Sequence, residues 1–278
     1  MGGLDELQRD MVAHSFFPDK KFSQHFLVDE SIIHLLVDSV GVGKKNSVLE
    51  IGGGTGFVTR AIRETGARVI VVEVHAALAA VLQEKLGDQN EVRIIQNDIL
   101  KVNLNQLDFD TVIASPPYAI SDDIMYALFA RGFDNASLVW QLEFAEKLLA
   151  PEGSAEYNAL SVLTQYFFNG DIVKKISPKA FYPMPQQFSS ILVLKRKKVP
   201  PIPNHAQFVE FIRTLFRFKN KTLANALRLA ARHIPTIPSS EQCALLLRPF
   251  DWAGKKVFLL SPVEFVALYH ALLHLPQK

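Results

Sequence analysis

Ser115-Pro116-Pro117-Tyr118 follows directly on the apolar run Thr111-Val112-Ile113-Ala114. A polar residue, two prolines and an aromatic at the carboxyl end of a strand make a stiff turn that presents a ring. Neither proline has a backbone N–H and each has a fixed φ, so the turn cannot continue a sheet. What it leaves free is carbonyl oxygen. A site that grips an exocyclic amino group needs acceptors and a flat stacking partner, and this segment offers both. A plain strand-ending turn accounts for the same four residues equally well, so the surrounding elements must decide.

A second candidate is the glycine loop Glu50-Ile51-Gly52-Gly53-Gly54-Thr55-Gly56, placed where one apolar strand passes into a helical pattern. Glycine allows positive φ and lets a ligand approach the main chain with no Cβ in the way. The helix start beyond the loop favours an anionic group. A dinucleotide fingerprint wants glycines at loop positions one, three and six. Here those positions hold Gly52, Gly54 and Phe57, so the sixth fails, and no Lys-Ser/Thr follows to make a phosphate-binding loop. Glu73 ends the next strand, and a carboxylate there can accept from both hydroxyls of a ribose. Asp98 follows the third strand in Gln96-Asn97-Asp98-Ile99, where it can accept from an adenine amino group. Each acid alone reads equally as an ordinary loop carboxylate. At successive strand ends of one sheet they converge on the crevice where such sheets bind ligands.

The elements that position these groups are legible in the hydrophobic pattern. Strands are expected at 47–51, 68–73, 92–96, 109–114 and 137–141, with helices over about 57–64 and 76–86. Strands alternating with helices of this length imply βαβ units and a parallel sheet. Two more strands are expected at 171–176 and 189–195, giving seven. The charged run Lys195-Arg196-Lys197-Lys198 then enters Val199-Pro200-Pro201-Ile202-Pro203, which reads as a linker. Helices follow at about 205–217, 221–232, 239–246 and 262–273. The expected organisation is an N-terminal extension (1–21), an α/β domain (22–198), a proline-rich linker (199–204) and a small all-α C-terminal domain (205–278).

Composition narrows the function classes. The chain has 278 residues, 49% of them hydrophobic, enough for a sizeable core. No apolar run approaches the roughly 18 residues of a membrane span, and the first residues lack a signal-peptide core. Cys243 is the only cysteine, which excludes an intramolecular disulfide and a thiolate metal cluster. A reducing, cytoplasmic setting is expected, with no membrane partner. Residues 1–150 carry 13 Lys+Arg and 21 Asp+Glu, whereas residues 151–278 carry 17 and 7. Between Lys174 and Arg232 there are 13 basic residues and one acid, Glu210. That asymmetry points to a polyanion partner for the second half. His270 and His274, at i, i+4 spacing, lack a third ligand, so no metal is expected. Asp122-Asp123 reads as a helix N-terminal acid pair, and Trp140 as core.

Taken in order, the glycine loop, Glu73, Asp98 and Ser115–Tyr118 resemble class I S-adenosylmethionine-dependent methyltransferases of the amino-methylating branch. The likeness narrows with Phe22-Ser23-Gln24-His25-Phe26-Leu27, with Gln141–Leu148, with Leu160–Tyr166 and with Ala180-Phe181-Tyr182-Pro183-Met184-Pro185. This series is similar to the ribosomal RNA adenine dimethyltransferase family (KsgA type), from about Phe22 to Lys195 and more weakly through Phe218–Leu223. The resemblance implies a Rossmann-like seven-stranded sheet with helices on both faces. It implies N6-dimethylation of two adjacent adenosines near the 3′ end of small-subunit rRNA, within an immature particle, by a monomer. It implies that Gln24, His25 and Leu27 close over the methionine end of S-adenosylmethionine and that Gly52, Gly54 and Gly56 pass beneath it. Glu73 would hold the ribose, Asp98 the adenine, and Ile99 would pack on the ring. Ser115, also beside the cofactor, and the backbone at Pro116 would receive the target amino group, with Tyr118 and Phe181 sandwiching the base. A large-subunit rRNA adenine methylase shares these motifs, and a catalytically weak RNA-binding assembly factor is the rival from another class. Two positions depart from the family: Ser115 stands where Asn is usual, and Val74-His75 where a small apolar residue and Asp are common.

Overall fold

A computed structural model describes residues 3–18, 24–87, 91–231, 246–247 and 250–274. Phe22, Ser23, Cys243 and all of the expected helix 239–246 except Leu246 lie outside them. The chain divides into two compact units: residues 1–128, 133–145 and 170–196 form the first, and 129–132, 146–169 and 197–278 the second.

The first unit is built on strands β2 (Ser47–Ile51), β3 (Arg68–Glu73), β4 (Val92–Gln96), β5 (Thr111–Ala114), β6 (Asn135–Gln141), β7 (Phe168–Ile176, whose first two residues belong to the second unit) and β9 (Ser189–Arg196). They make one seven-stranded sheet in the order β4-β3-β2-β5-β6-β9-β7. Pairings among β4, β3, β2, β5 and β6 are parallel, and β9 lies antiparallel to β6, with Trp140 opposite Ser190 and Gln141 opposite Ser189. All five residues of β2 and the last five of β3 are buried, as expected of parallel strands covered on both faces. Edge strand β4 buries only its first residue. Helices α2 (Glu30–Asp38), α3 (Phe57–Glu64), α4 (Ala76–Leu86) and α5 (Ser121–Arg131) flank the sheet, and α6 (Leu142–Leu148) follows β6 in the chain. The chain runs outward through β2, β3 and β4 and then returns to β5 on the other side of β2. The carboxyl ends of β2 and β5 therefore meet at a topological switch point, where open α/β sheets bind ligands.

Several elements were absent from the expected ranges, α2 among them, and two of these bear on the walls of the first unit. The N-terminal extension forms a helix, α1 (Gly3–Ala13), which buries Leu7 and Met11. Its Asp10 meets Lys85 at 2.6 Å, and its Glu6 meets Arg60 and Lys85, each at 3.2 Å. The leucine and methionine spacing was the available signal. The other is a two-residue ribbon in which β1 (Phe26–Leu27) pairs antiparallel with β8 (Phe181–Tyr182). Strands of two residues leave no periodicity to read.

In the second unit, α7 (Ala159–Phe167) joins α8 (His205–Phe216), α9 (Leu223–Ala230) and α10 (Pro262–Leu273). Phe167, Phe208 and Tyr269 form edge-to-face aromatic contacts at its core. The proline-rich stretch read as a linker is ordered and packed there. Ile202 is buried, Tyr166 donates to the Pro200 carbonyl, and Tyr269 donates to that of Pro203, both at 3.2 Å. The apolar residue within the proline run and the two tyrosine partners explain why composition alone misleads here. Among the described residues no helix is long and apolar enough to cross a membrane, and no group of three or more His, Cys, Asp or Glu could hold a metal ion.

Candidate active site

At the switch point a cleft of roughly 940 Å³, open mouth included, is lined by the glycine loop, the ends of β3, β4 and β5, and the β1 segment. Its lining joins apolar side chains to a few convergent polar groups, as small-molecule sites do. Gly52 and Gly54 take φ of +78° and +55°, the left-handed region glycine tolerates. A Cβ on Gly52 would meet the Pro116 Cα and Pro117 Cδ at 3.8 Å, so the glycine loop and the proline turn are direct neighbours. Gly56 does not line the cleft. It caps α3 at φ +91°, close against Leu82 and Leu86, and its role is to turn the chain into the helix.

Glu73 is buried and doubly held: its carboxylate accepts from the Gly54 N–H at 3.0 Å and from the His75 N–H at 2.9 Å. Burial raises its pKa above the ordinary carboxylate value, and the two N–H groups oppose that rise. One carboxylate thus fastens the glycine loop to the end of β3 while facing the cleft. Asp98 spends Oδ1 on the Leu100 N–H at 3.0 Å as the cap of a short 3₁₀ turn. Ile99 beside it is buried and lines the cleft.

Sequence reasoning passed over Glu50. It lines the cleft at 1% exposure, and its Oε2 has no hydrogen-bond partner. Burial drives its pKa up to about 8; Thr59 opposes the rise and the nearby Glu73 carboxylate adds to it. A buried carboxylate with an unused oxygen is costly unless something completes it. The signal was there: Glu50 is the one ionisable residue inside an otherwise apolar strand, Ser-Val-Leu-Glu-Ile.

Ser115, Pro116 and Tyr118 line the opposite wall. The Tyr118 hydroxyl shares a 2.6 Å hydrogen bond with the Ser189 hydroxyl, and burial pushes its pKa up to about 12. The phenol therefore stays neutral at working pH, which suits a stacking ring and not a base. Gln24, His25 and Leu27 also line the cleft. His25 Nδ1 donates to the Pro183 carbonyl at 2.7 Å, which fixes the ring. Its imidazole lies 6.1 Å from the Tyr118 ring at 28° between planes.

The expected sandwich of Tyr118 and Phe181 is not formed. Phe181 is 2% exposed, belongs to the core and does not line the cleft. The β1–β8 pairing explains this, because Phe181 stands opposite Leu27 and both are buried. The ring that faces Tyr118 is His25.

Residues 18–244 match the family described as ribosomal RNA adenine dimethylase. The chain belongs to that family. Relatives within the dimethylase family include a probable ribosomal RNA small subunit methyltransferase A of Methanococcus aeolicus, 36% identical over 270 residues, covering 94% of this chain and 98% of the relative. The protein of the same description from Methanococcoides burtonii is 35% identical over 251 residues, covering 88% and 90%. Among solved structures, a dimethyladenosine transferase from Plasmodium falciparum superposes with a TM-score of 0.72 at 24% identity, over 88% of this chain and 96% of that one. The 23S rRNA methyltransferase ErmE gives 0.60 at 23%, over 89% and 99%. At those identities the two structures speak for the Rossmann-like methyltransferase fold.

Proposed function

We propose that the chain transfers methyl groups from S-adenosylmethionine to the N6 nitrogen of adenine in small-subunit rRNA, twice on each of two neighbouring adenosines. The observation that carries this reading is the convergence, in one cleft, of a carboxylate-fastened glycine loop with a rigid Ser-Pro-Pro-Tyr turn. Family membership and the small-subunit relatives support the choice of RNA. The donor set fits the cofactor. Glu73 offers a carboxylate for ribose hydroxyls, Ile99 an apolar surface for adenine and Asp98 an acceptor. The unpartnered Oε2 of Glu50 suits a cationic ligand, and this cofactor is one.

When bound, the cofactor supplies a sulfonium methyl already activated for transfer. The protein then has to align the nucleophile. An adenine amino nitrogen is poor in this role because its lone pair is delocalised into the ring. Ser115 and the carbonyls around Pro116 accept from its two N–H groups and favour a pyramidal nitrogen with its lone pair directed at the methyl. Held in this way, the nitrogen would take the methyl as the cofactor's S–C bond is given up and would lose its proton to water, so no strong base would be required of the protein. To enter, the base must leave its stack. Tyr118 provides a neutral ring for it, and stacking of this kind contributes roughly 1–3 kcal/mol. The basic stretch from Lys174 to Arg232 meets the phosphate backbone.

The test is mass analysis of rRNA after incubation with S-adenosylmethionine and undermethylated ribosomal subunits. Dimethyladenosine is expected in the small-subunit RNA, and Tyr118→Ala should abolish it with cofactor affinity nearly intact. Methylation confined to large-subunit RNA would overturn the substrate assignment. Cofactor binding with no transfer to either subunit would favour an assembly factor.

A further inference from the structure

Edge strand β7 and the approach to β9 carry a surface that the cleft does not use. Phe188 is 46% exposed, an unusual place for a phenylalanine, and the Lys175 ammonium stands 4.3 Å from its ring centroid. Val173, two residues from Lys175 and on the same side of β7, is 42% exposed. Lys174 and Lys179 are exposed as well. From residue 172 to residue 209 the chain has no Asp or Glu. β7 itself carries one acid, Asp171, exposed and on the side of Val173 and Lys175; an aromatic face under a cation still offers what a nucleotide requires, a ring for the base and a positive charge for its phosphate.

Its position supplies the second argument. The Phe188 carbonyl accepts from the Leu142 N–H at 3.0 Å, which ties it to the end of β6. The next residue, Ser189, is the one bonded to the Tyr118 hydroxyl. Consecutive Cα atoms are about 3.8 Å apart, so Phe188 lies within a nucleotide's reach of the residue that fixes Tyr118. Ser189 is buried and Phe188 exposed, so one strand end presents a hydroxyl inward to the site and a ring outward.

We infer that Phe188 and Lys175 form an accessory nucleotide subsite: the base next to the target adenosine stacks on Phe188, and Lys175 moves from the ring to its phosphate. This rests on the RNA-methylating reading above and adds where the strand runs beside the cleft. Holding the neighbour is of direct use to an enzyme that modifies two adjacent adenosines, because the second base is kept unstacked while the first reacts.

The test compares the full-length protein with Phe188→Ala, Phe188→Trp and Lys175→Ala, using undermethylated small subunits as substrate. Phe188→Ala should raise the KM for RNA by roughly five-fold to 150-fold, the span that corresponds to one base stack, and Phe188→Trp should restore it. Lys175→Ala should reduce the salt dependence of RNA binding by about one phosphate contact. The cofactor dissociation constant should stay within about two-fold of wild type in all three. An unchanged KM in Phe188→Ala, with wild type fully active, would overturn the subsite and leave the activity standing. Failure of wild type to methylate any subunit would overturn the reading beneath it. A photocrosslinking residue at 188 should capture RNA; capture of a ribosomal protein instead would show that the surface serves a protein partner.

Discussion

Glu50, buried in the cleft with Oε2 unpartnered, should couple stability and ligand binding through a single proton. The perturbation is Glu50→Gln, which keeps the shape and removes the ionisation. In the folded protein its pKa is about 8 against an ordinary value of 4.5. The folded state therefore holds a proton that the unfolded chain has released between those two values. Its stabilising effect is full below pH 4.5 and is lost as the pH rises toward 8. The interval between 4.5 and about 8 corresponds to about 5 kcal/mol, on the order of 1.4 kcal/mol for each pH step of one. Urea unfolding of wild type and variant at intervals from pH 4.5 to 8.5 measures this directly, and the variant should gain about 5 kcal/mol on wild type across the range. Cofactor binding should run the other way. A cationic ligand needs the ionised carboxylate, so wild-type affinity for S-adenosylmethionine should fall about ten-fold per pH unit below 8. Glu50→Gln should bind weakly with no such slope. Parallel unfolding curves for the two proteins across this range would refute the reasoning, because they would mean Glu50 is ionised throughout.

Two further substitutions probe the opposite wall. Ser115→Asn brings an amide to the position and should keep or raise methyl transfer, measured as dimethyladenosine formed per unit time; loss of activity would mean the serine hydroxyl has a role an amide cannot fill. Phe181→Leu should cost about 1–2 kcal/mol of stability through lost core volume, with the KM for RNA within two-fold of wild type. A ten-fold rise in that KM at unchanged stability would show that Phe181 reaches the base after all.

The parallel strands and their helices were legible because buried strands read as short apolar runs and the helices between them keep their own period. The expected ranges for β2, α3, β3, α4 and β4 match the structure. The cleft was legible because Gly52, Gly54, Glu73, Asp98 and the proline turn sit at strand ends, where topology alone brings them together. Three things were not legible. Phe181 matched a motif, yet its exposure depends on which residue stands opposite in a two-residue ribbon, and Leu27 lies 154 positions away. Glu50 was hidden because a strand's polar residue looks like an interruption until burial is known. The proline run passed for a linker because composition records chain stiffness and not the tyrosines that receive its carbonyls.

The β1–β8 ribbon has a consequence for the order in which this protein can be made. Residues 24–27, which wall one side of the cleft, leave the ribosome well before the residues that hold them. Their pairing partners, Phe181 and Tyr182, and the Pro183 carbonyl that holds His25 come more than 150 residues later. Domains begin to fold as they emerge, at roughly 5–20 residues per second. The glycine loop and the ends of β2 to β5 can therefore assemble while the wall that faces Tyr118 still lacks its anchor. Completion of the cleft is tied to synthesis through β9, since Ser189, the partner of the Tyr118 hydroxyl, is also a late residue. A chain interrupted before that point lacks the backbone that fixes both His25 and Tyr118, so only a chain extended past residue 189 has both walls in place.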